Sequence, residues 1–262
     1  MINLAIAIAI SAAAYLAFGL GLGGGQFNVW YGILPAIIAL VVAYLLLARR
    51  SLKQLEVITN RAASEMGRMQ EQMMARPGKN PSKKEMRERV ERIIGILKEG
   101  YTLSRWQFLV EAQINSQIGV LYYSLREFDE AEPYLTNSFF KNWIAQAMLA
   151  TIYFRRRKYD TMEEVFERAV KSNEKESLLW ALYAWCLWKN KDRDGAIKVL
   201  NRAKQVLTDP RIESNLLALQ NDKKMKMDKW DAWYQFQLER PPAAKYAQAM
   251  GGFRGSRRAV YR

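Results

Sequence analysis

The chain has no histidine and only one cysteine, Cys186, among 262 residues. The first absence removes the commonest general base and zinc ligand. The second excludes an intrachain disulfide, a CxxC redox pair and a thiolate metal site. No GxxxxGK[ST] or GxGxxG run is present to cradle a phosphate, and Gly23-Gly24-Gly25 falls between two apolar runs rather than after a strand. Charge is missing from residues 1–48, although the whole chain holds 40 Lys and Arg against 26 Asp and Glu, a net +14. Catalysis would fall to Asp, Glu, Lys or Ser alone, and the acids lie along solvated helix faces. The sequence therefore predicts no enzyme, no metal and no cofactor.

The uncharged stretch consists of two apolar runs, Ile2 to Leu22 and Val29 to Ala48. At 1.5 Å per residue each helix would be about 30 Å long, the thickness of a bilayer core. Gly23 to Asn28 is too short for a domain and predicts a hairpin turn. Pro35 should bend the second helix and leave a carbonyl for a neighbour to satisfy. Phe27, Trp30 and Tyr31 stand at headgroup depth. Arg49, Arg50 and Lys53 follow the second run while the turn has no Lys or Arg, which keeps both termini in the cytoplasm of a two-pass inner-membrane protein. A cleaved signal peptide at 1–22 fits less well, because no basic region precedes the apolar run.

Residues 49–81 continue as a stalk. Leu52, Leu55, Thr59, Ala62, Met66, Met69 and Met73 form a heptad-like seam, weakened by the small or pliant side chains on it. The seam could self-associate in parallel or pack within the chain. Gly67 and the run Arg76 to Pro81 should end the helix, the latter as a hinge. Ser82-Lys83-Lys84-Glu85 is a capping box, and Met86, Val90, Ile93, Ile94 and Leu97 form one apolar stripe behind it. Residues 82–111 should thus form leading helices that cover the first face of the next domain.

The sequence from residue 112 onward is repetitive. Asn115, Ile118, Gly119, Tyr122, Ala131 and Leu135 recur after 31 residues as Gln146, Leu149, Ala150, Tyr153, Met162 and Phe166. A further 34 residues lead to Trp180, Tyr183, Ala184, Leu187, Ala196 and Leu200, and another 34 to Ser214, Leu217, Ala218, Asn221, Trp230 and Tyr234. The small residue in each set lets two helices approach closely, and the large ones fill the space beside it. Helices this short are marginal alone, so stacking must stabilise them. The three-residue shortfall should lie between the first unit's second helix and the next unit.

On these residues the chain resembles the tetratricopeptide repeat family, best in the third unit (Trp180, Tyr183, Ala184, Leu187, Ala196, Leu200, Ala203). Turns at Arg126 to Ala131 and Lys158 to Asp160 match the family's interhelix turn, while Met162 and Trp230 stand where alanine is expected, and Pro242 falls at the terminal proline. The implied fold class is all-α: a transmembrane helical hairpin at 1–48, then a tetratricopeptide-like α-solenoid at 112–242 of three units and one degenerate. The resemblance also implies a groove lined by first helices that binds peptides or helices of other proteins. Its candidates here are Asn115, Gln146, Tyr153, Arg157, Trp180 and Lys189, with Trp143 at the edge. Cys186, inside Leu182 to Trp188, reads as a packing residue, and Trp180, Trp185 and Trp188 divide between core and groove.

Two basic clusters complete the reading. Arg155, Arg156, Arg157 and Lys158 form the densest run, a solvated helix end or a surface for acidic partners. Residues 243–262 carry Lys245, Arg254, Arg257, Arg258 and Arg262 with no acid, a basic tail suited to anionic lipid headgroups. No recognition helix or stacking platform accompanies it, which argues against nucleic acid. The expected function is a bacterial inner-membrane scaffold or adaptor in an envelope-associated assembly, with integral membrane subunits among its partners. The alternatives are a membrane-proximal receptor or chaperone for client peptides, and a structural subunit of a membrane complex.

Overall fold

A computed structural model of the chain describes residues 1–21, 29–74 and 81–240. The hairpin turn at Gly23 to Asn28, the hinge at 76–80, Pro242 and the basic tail with Arg254, Arg257 and Arg258 lie outside the described residues. Those that are described form helices α1 to α10 and two 3-10 segments, with no strand among them. They divide into two compact units, one up to Ile114 and one from Asn115 onward.

In the first unit α1 (Ile2–Gly21) packs along α2 (Val29–Met74). Both are long and apolar enough to cross a membrane. Their contact is made by small and polar residues. Asn3, 2% exposed, donates its amide to Ser51 Oγ at 2.9 Å and to the Leu47 carbonyl. Ala7 is fully buried, and Ser11 Oγ donates to the Ala36 carbonyl at 2.8 Å, beside Pro35. Gly32 permits the crossing, since a Cβ there would stand 2.6 Å from the Tyr15 carbonyl oxygen. By contrast Ala5, Ala9, Ala12, Ala13 and Ala17 are exposed. So are Ile8, Leu16, Leu34, Ile37, Ile38 and Leu46, which the core helix of a water-soluble domain would bury.

Helix α2 runs unbroken for 46 residues, about 69 Å. Gly67 lies inside it rather than ending it. Helix α3 (Lys83–Glu99) returns antiparallel along its stalk part, with Arg61 paired to Glu99 at 2.9 Å. The capping box forms as the sequence predicts: Ser82 Oγ accepts the Glu85 N–H, and Glu85 Oε2 accepts the Ser82 N–H. Leu55 and Ala62 of the stalk seam are buried, as are Val90, Ile93, Ile94 and Leu97 of α3. The seam is thereby partly used within the chain. A 3-10 turn at Gly100–Leu103 follows, and α4 (Val110–Ser124) begins after Leu109, whose φ is 67°.

In the second unit the remainder of α4 meets α5 (Phe128–Thr136) through Gly119 against Leu135 and Tyr122 against Tyr134, while α6 (Trp143–Arg155) pairs with α7 (Tyr159–Ser172) and α8 (Ser177–Lys189) with α9 (Arg193–Val206). Helix α10 (Pro210–Gln220) opens a fourth unit, and no second helix completes it among the described residues. All four first helices end the same way. Arg126, Arg157, Lys191 and Asp222 have φ between 58° and 69°. The next residue's N–H bonds back to Tyr122, Tyr153, Leu187 and Ala218 respectively. This αL closure satisfies carbonyls that the helix end leaves open.

The small residues act as expected where two helices meet. A Cβ on Gly119 would lie 2.6 Å from Leu135 Cδ2, while Ala150 and Ala184 are fully buried. The short first repeat is explained by α5, nine residues against fourteen in α7 and α9. The loop after it is pegged from below: Asn115 donates to the Asn137 carbonyl, Ser116 Oγ accepts the Phe139 N–H, and Gln146 donates to Ser138 Oγ.

The fourth unit departs from the predicted register. Its turn stands 31 residues after the third, at Asp222, so Asn215 and not Ala218 takes the place of Ala184. No second helix crosses there. Asn215, 2% exposed, instead donates to the Lys226 carbonyl and accepts the Lys226 N–H, holding a non-helical stretch of chain where a helix would otherwise pack.

Candidate peptide-binding groove

From Lys226 the chain turns back across the first helices in reverse order. Trp230, 4% exposed, donates its indole N–H to Ser177 Oγ at the start of α8, with the Arg211 guanidinium 4.8 Å from its ring centre. A 3-10 turn at Asp231–Phe236 follows. With three residues per turn it sets Trp233 and Phe236 on one face, and both are fully buried. Trp233 meets Trp185 of α8 edge to face at 5.0 Å, and Phe236 lies 6.3 Å from Trp143 of α6.

Polar contacts fix the backbone of this segment to the older repeats. Tyr123 of α4 donates its hydroxyl to the Phe236 carbonyl at 2.6 Å and lies 2.8 Å from Thr151 Oγ1 of α6. Burial pushes the Tyr123 phenol up to about 12, so it stays a donor at any physiological pH. Arg155 donates to the Gln237 carbonyl, and Gln237 returns its amide to the carbonyls of Tyr123 and Ser124. Glu239 accepts the Trp233 indole N–H and stands 4.0 Å from Lys189, whose ammonium sits over Trp185 and Trp188. Residues 226–239 thus occupy the face of α4, α6 and α8 as a bound peptide would.

Of the candidate contacts, Lys189 and the edge residue Trp143 are brought to this groove; the others lie elsewhere. Trp180 is 3% exposed and donates its indole N–H to the Glu174 carbonyl, with Arg202 against its ring. Asn115 and Gln146 are buried pegs of the 137–139 loop. Gln146 and Tyr153 border a cavity of about 330 Å³ shared with Thr161, Arg168 and Lys171. Arg157 is exposed in an αL turn. Trp180, Gln146 and Tyr153 lie beside residues of the second helices, whereas the groove is lined by Tyr123, Thr151, Arg155 and Trp185.

The basic run is likewise divided. Arg155 reaches the bound segment and Phe128, and Arg156 pairs with Asp129 and Glu132 across the first two repeats. The hydrogen bond that Arg156 donates to the Glu132 carboxylate raises the Arg156 pKa further. Arg157 and Lys158 are left exposed. Cys186 is fully buried, and burial pushes its thiol up, as a packing role requires.

The filling segment carries its own signal in the sequence. Trp230, Trp233, Tyr234 and Phe236 put four aromatics into seven residues just after a lysine-rich stretch, and three of them recur at a spacing of three. That period belongs to a 3-10 turn rather than to the second helix of a repeat.

Comparison with known proteins finds the tetratricopeptide repeat at residues 145–176, which is α6, α7 and the link to α8. The match falls on the second unit, despite Met162. No curated protein and no solved structure matches the chain.

Proposed function

We propose that this chain, an all-α protein carrying a tetratricopeptide repeat, is a membrane-anchored scaffold or adaptor that organises other proteins at the cytoplasmic face of a bacterial inner membrane. The hairpin of α1 and α2 supports the anchoring half. Its outward residues are almost all aliphatic or aromatic, and an apolar sleeve of that size is tolerated in lipid rather than in water. Arg49, Arg50 and Lys53 at its base support cytoplasmic termini.

The observation that carries the scaffold reading over a receptor for client peptides is the occupied groove. A receptor needs that face open, whereas here Trp233 and Phe236 are fully buried in it. Partner contacts then fall to the outward surfaces of the second helices and to the hairpin. Tethering the repeats in two dimensions lets weak contacts of this kind cooperate. The exposed alanines Ala5, Ala9, Ala12, Ala13 and Ala17 favour one variant, in which α1 packs closely against a transmembrane helix of another subunit. No catalytic role is assigned.

Alkaline carbonate washing of membranes from cells making the native chain tests the anchor, and protease added to spheroplasts tests its orientation. Retention in the washed pellet with residues 82–240 protected is expected. Release by carbonate, or digestion from outside, would overturn the proposal.

A further inference from the structure

Residues 105–108 are tied to the cytoplasmic end of the hairpin. The first N–H groups of any helix lack a carbonyl within that helix. In α1 they are met from elsewhere: the Ile2 N–H donates to the Arg105 carbonyl at 2.9 Å, and the Asn3 N–H to the Trp106 carbonyl at 3.2 Å. The terminal ammonium of Met1 also donates to Arg105. Side chains extend the link, with Gln107 donating to the Tyr44 hydroxyl at 3.2 Å and accepting from Asn3 at 3.4 Å. Asn3 in turn holds Leu47 and Ser51. These partners on α2 bracket Ala48, where the uncharged run ends and Arg49 begins.

The segment therefore stands at the depth where the hairpin leaves the apolar layer. At that depth Trp106 is 44% and Phe108 57% exposed, and Arg49, Arg50 and Arg105 are exposed beside them. Two open aromatic rings among arginines suit the headgroup layer, where rings meet acyl chains and guanidinium groups meet phosphate.

We propose that residues 105–108 form a third membrane contact, with Trp106 and Phe108 seated in the headgroup layer of a phospholipid bilayer and Arg105 at its phosphates. The proposal rests on the anchor reading of the hairpin and adds a contact at residues 105–108, well beyond the hairpin's end at Ala48. One consequence is that the chain leaving α3 is fixed to the bilayer surface as well as to the stalk.

Nitroxide depth measurement on the full-length chain in phospholipid nanodiscs tests it. In a Cys186→Ala background, single labels are placed at Ile38→Cys, Trp106→Cys, Phe108→Cys and Glu88→Cys, and accessibility to oxygen is compared with accessibility to a water-soluble nickel chelate. The oxygen-to-nickel ratio should be highest at 38, intermediate at 106 and 108, and lowest at 88. Ratios at 106 and 108 equal to that at 88, with 38 deep, would overturn the third contact and leave the anchor standing, with a protein surface as the occupant of the rings. A ratio at 38 equal to that at 88 would overturn both. Because either loop substitution could loosen the segment, the wild-type chain is also photolabelled with a headgroup-activated phospholipid. Label on Trp106 or Phe108 is expected; label confined to the hairpin and Arg49-Arg50 would overturn the contact.

Discussion

Replacing Trp233 by alanine removes the side chain on which the filled groove depends. The indole is fully buried, packs edge to face on Trp185 at 5.0 Å and donates to Glu239 at 3.3 Å. Truncating a buried tryptophan of this kind destabilises by about 3–5 kcal/mol, of which the aromatic pair supplies roughly 0.5–1.5. For a repeat unit of this size each kcal/mol moves the midpoint by roughly 2–4 °C, so thermal unfolding in detergent should fall by roughly 6–20 °C. A second readout is specific to the groove. Trp185 is 3% exposed only while Trp233 covers it, so iodide should quench more of the tryptophan emission in the variant below its melting transition. An unshifted melt together with unchanged quenching would refute the packing of residues 226–239 on the first helices.

The remaining expectations use other contacts. Gly119→Leu should destabilise by at least 1–3 kcal/mol, about the size of an ordinary overpacking penalty, because a Cβ already meets the Leu135 side chain at 2.6 Å and its backbone nitrogen at 3.1 Å. Gly95→Ala in α3, with nothing within 4 Å, should instead stabilise by about 1 kcal/mol from helix propensity, and paired chemical denaturation curves check both signs. Tyr123 is neutral in the fold up to about 12 but ionises near its ordinary 10.0 when unfolded, so its contribution is intact below pH 10 and is lost as pH rises from there toward 12. Tyr123→Phe should lower stability by about 1–3 kcal/mol at pH 7 yet flatten that alkaline loss by about 1.4 kcal/mol per pH unit, read from melts across pH 8–11. Deleting residues 243–262 should weaken binding to anionic liposomes severalfold without moving the melt; unchanged sedimentation with liposomes would remove the tail's assigned role.

The repeat architecture was legible because its signals are local. Gly119, Ala150 and Ala184 mark helix crossings by size alone, whereas the 31-residue first spacing reads as a shortfall in the link after the second helix and the structure shows α5 itself to be short. The fourth unit was not legible in the same way. Asn215 is polar at a position where the pattern expects a small residue, and only its double bond to Lys226 explains why a missing helix is tolerated. Helix α8 posed another difficulty, since Leu178 through Leu187 are all buried and an all-apolar helix has no phase to read. That is why Trp180 and Trp185 could not be told apart: one packs on Arg202, the other lies under Trp233. In the hairpin, α1 is rich in alanine from Ala5 to Ala17, yet the contact is made by Asn3, Ala7 and Ser11. Sequence counts small residues well but does not say which side of a helix has a partner.

Crosslinking in native membranes, with identification of the attached proteins, tests the central claim most directly. Photoreactive residues would replace exposed positions on the second helices, such as Arg168 and Lys198, and groove positions such as Trp143 and Trp185. The scaffold account predicts a defined set of other membrane-associated proteins captured from the second-helix positions, and only intrachain links to residues 226–239 from the groove. Capture of diverse client segments from Trp143 and Trp185, with none from the second helices, would contradict it.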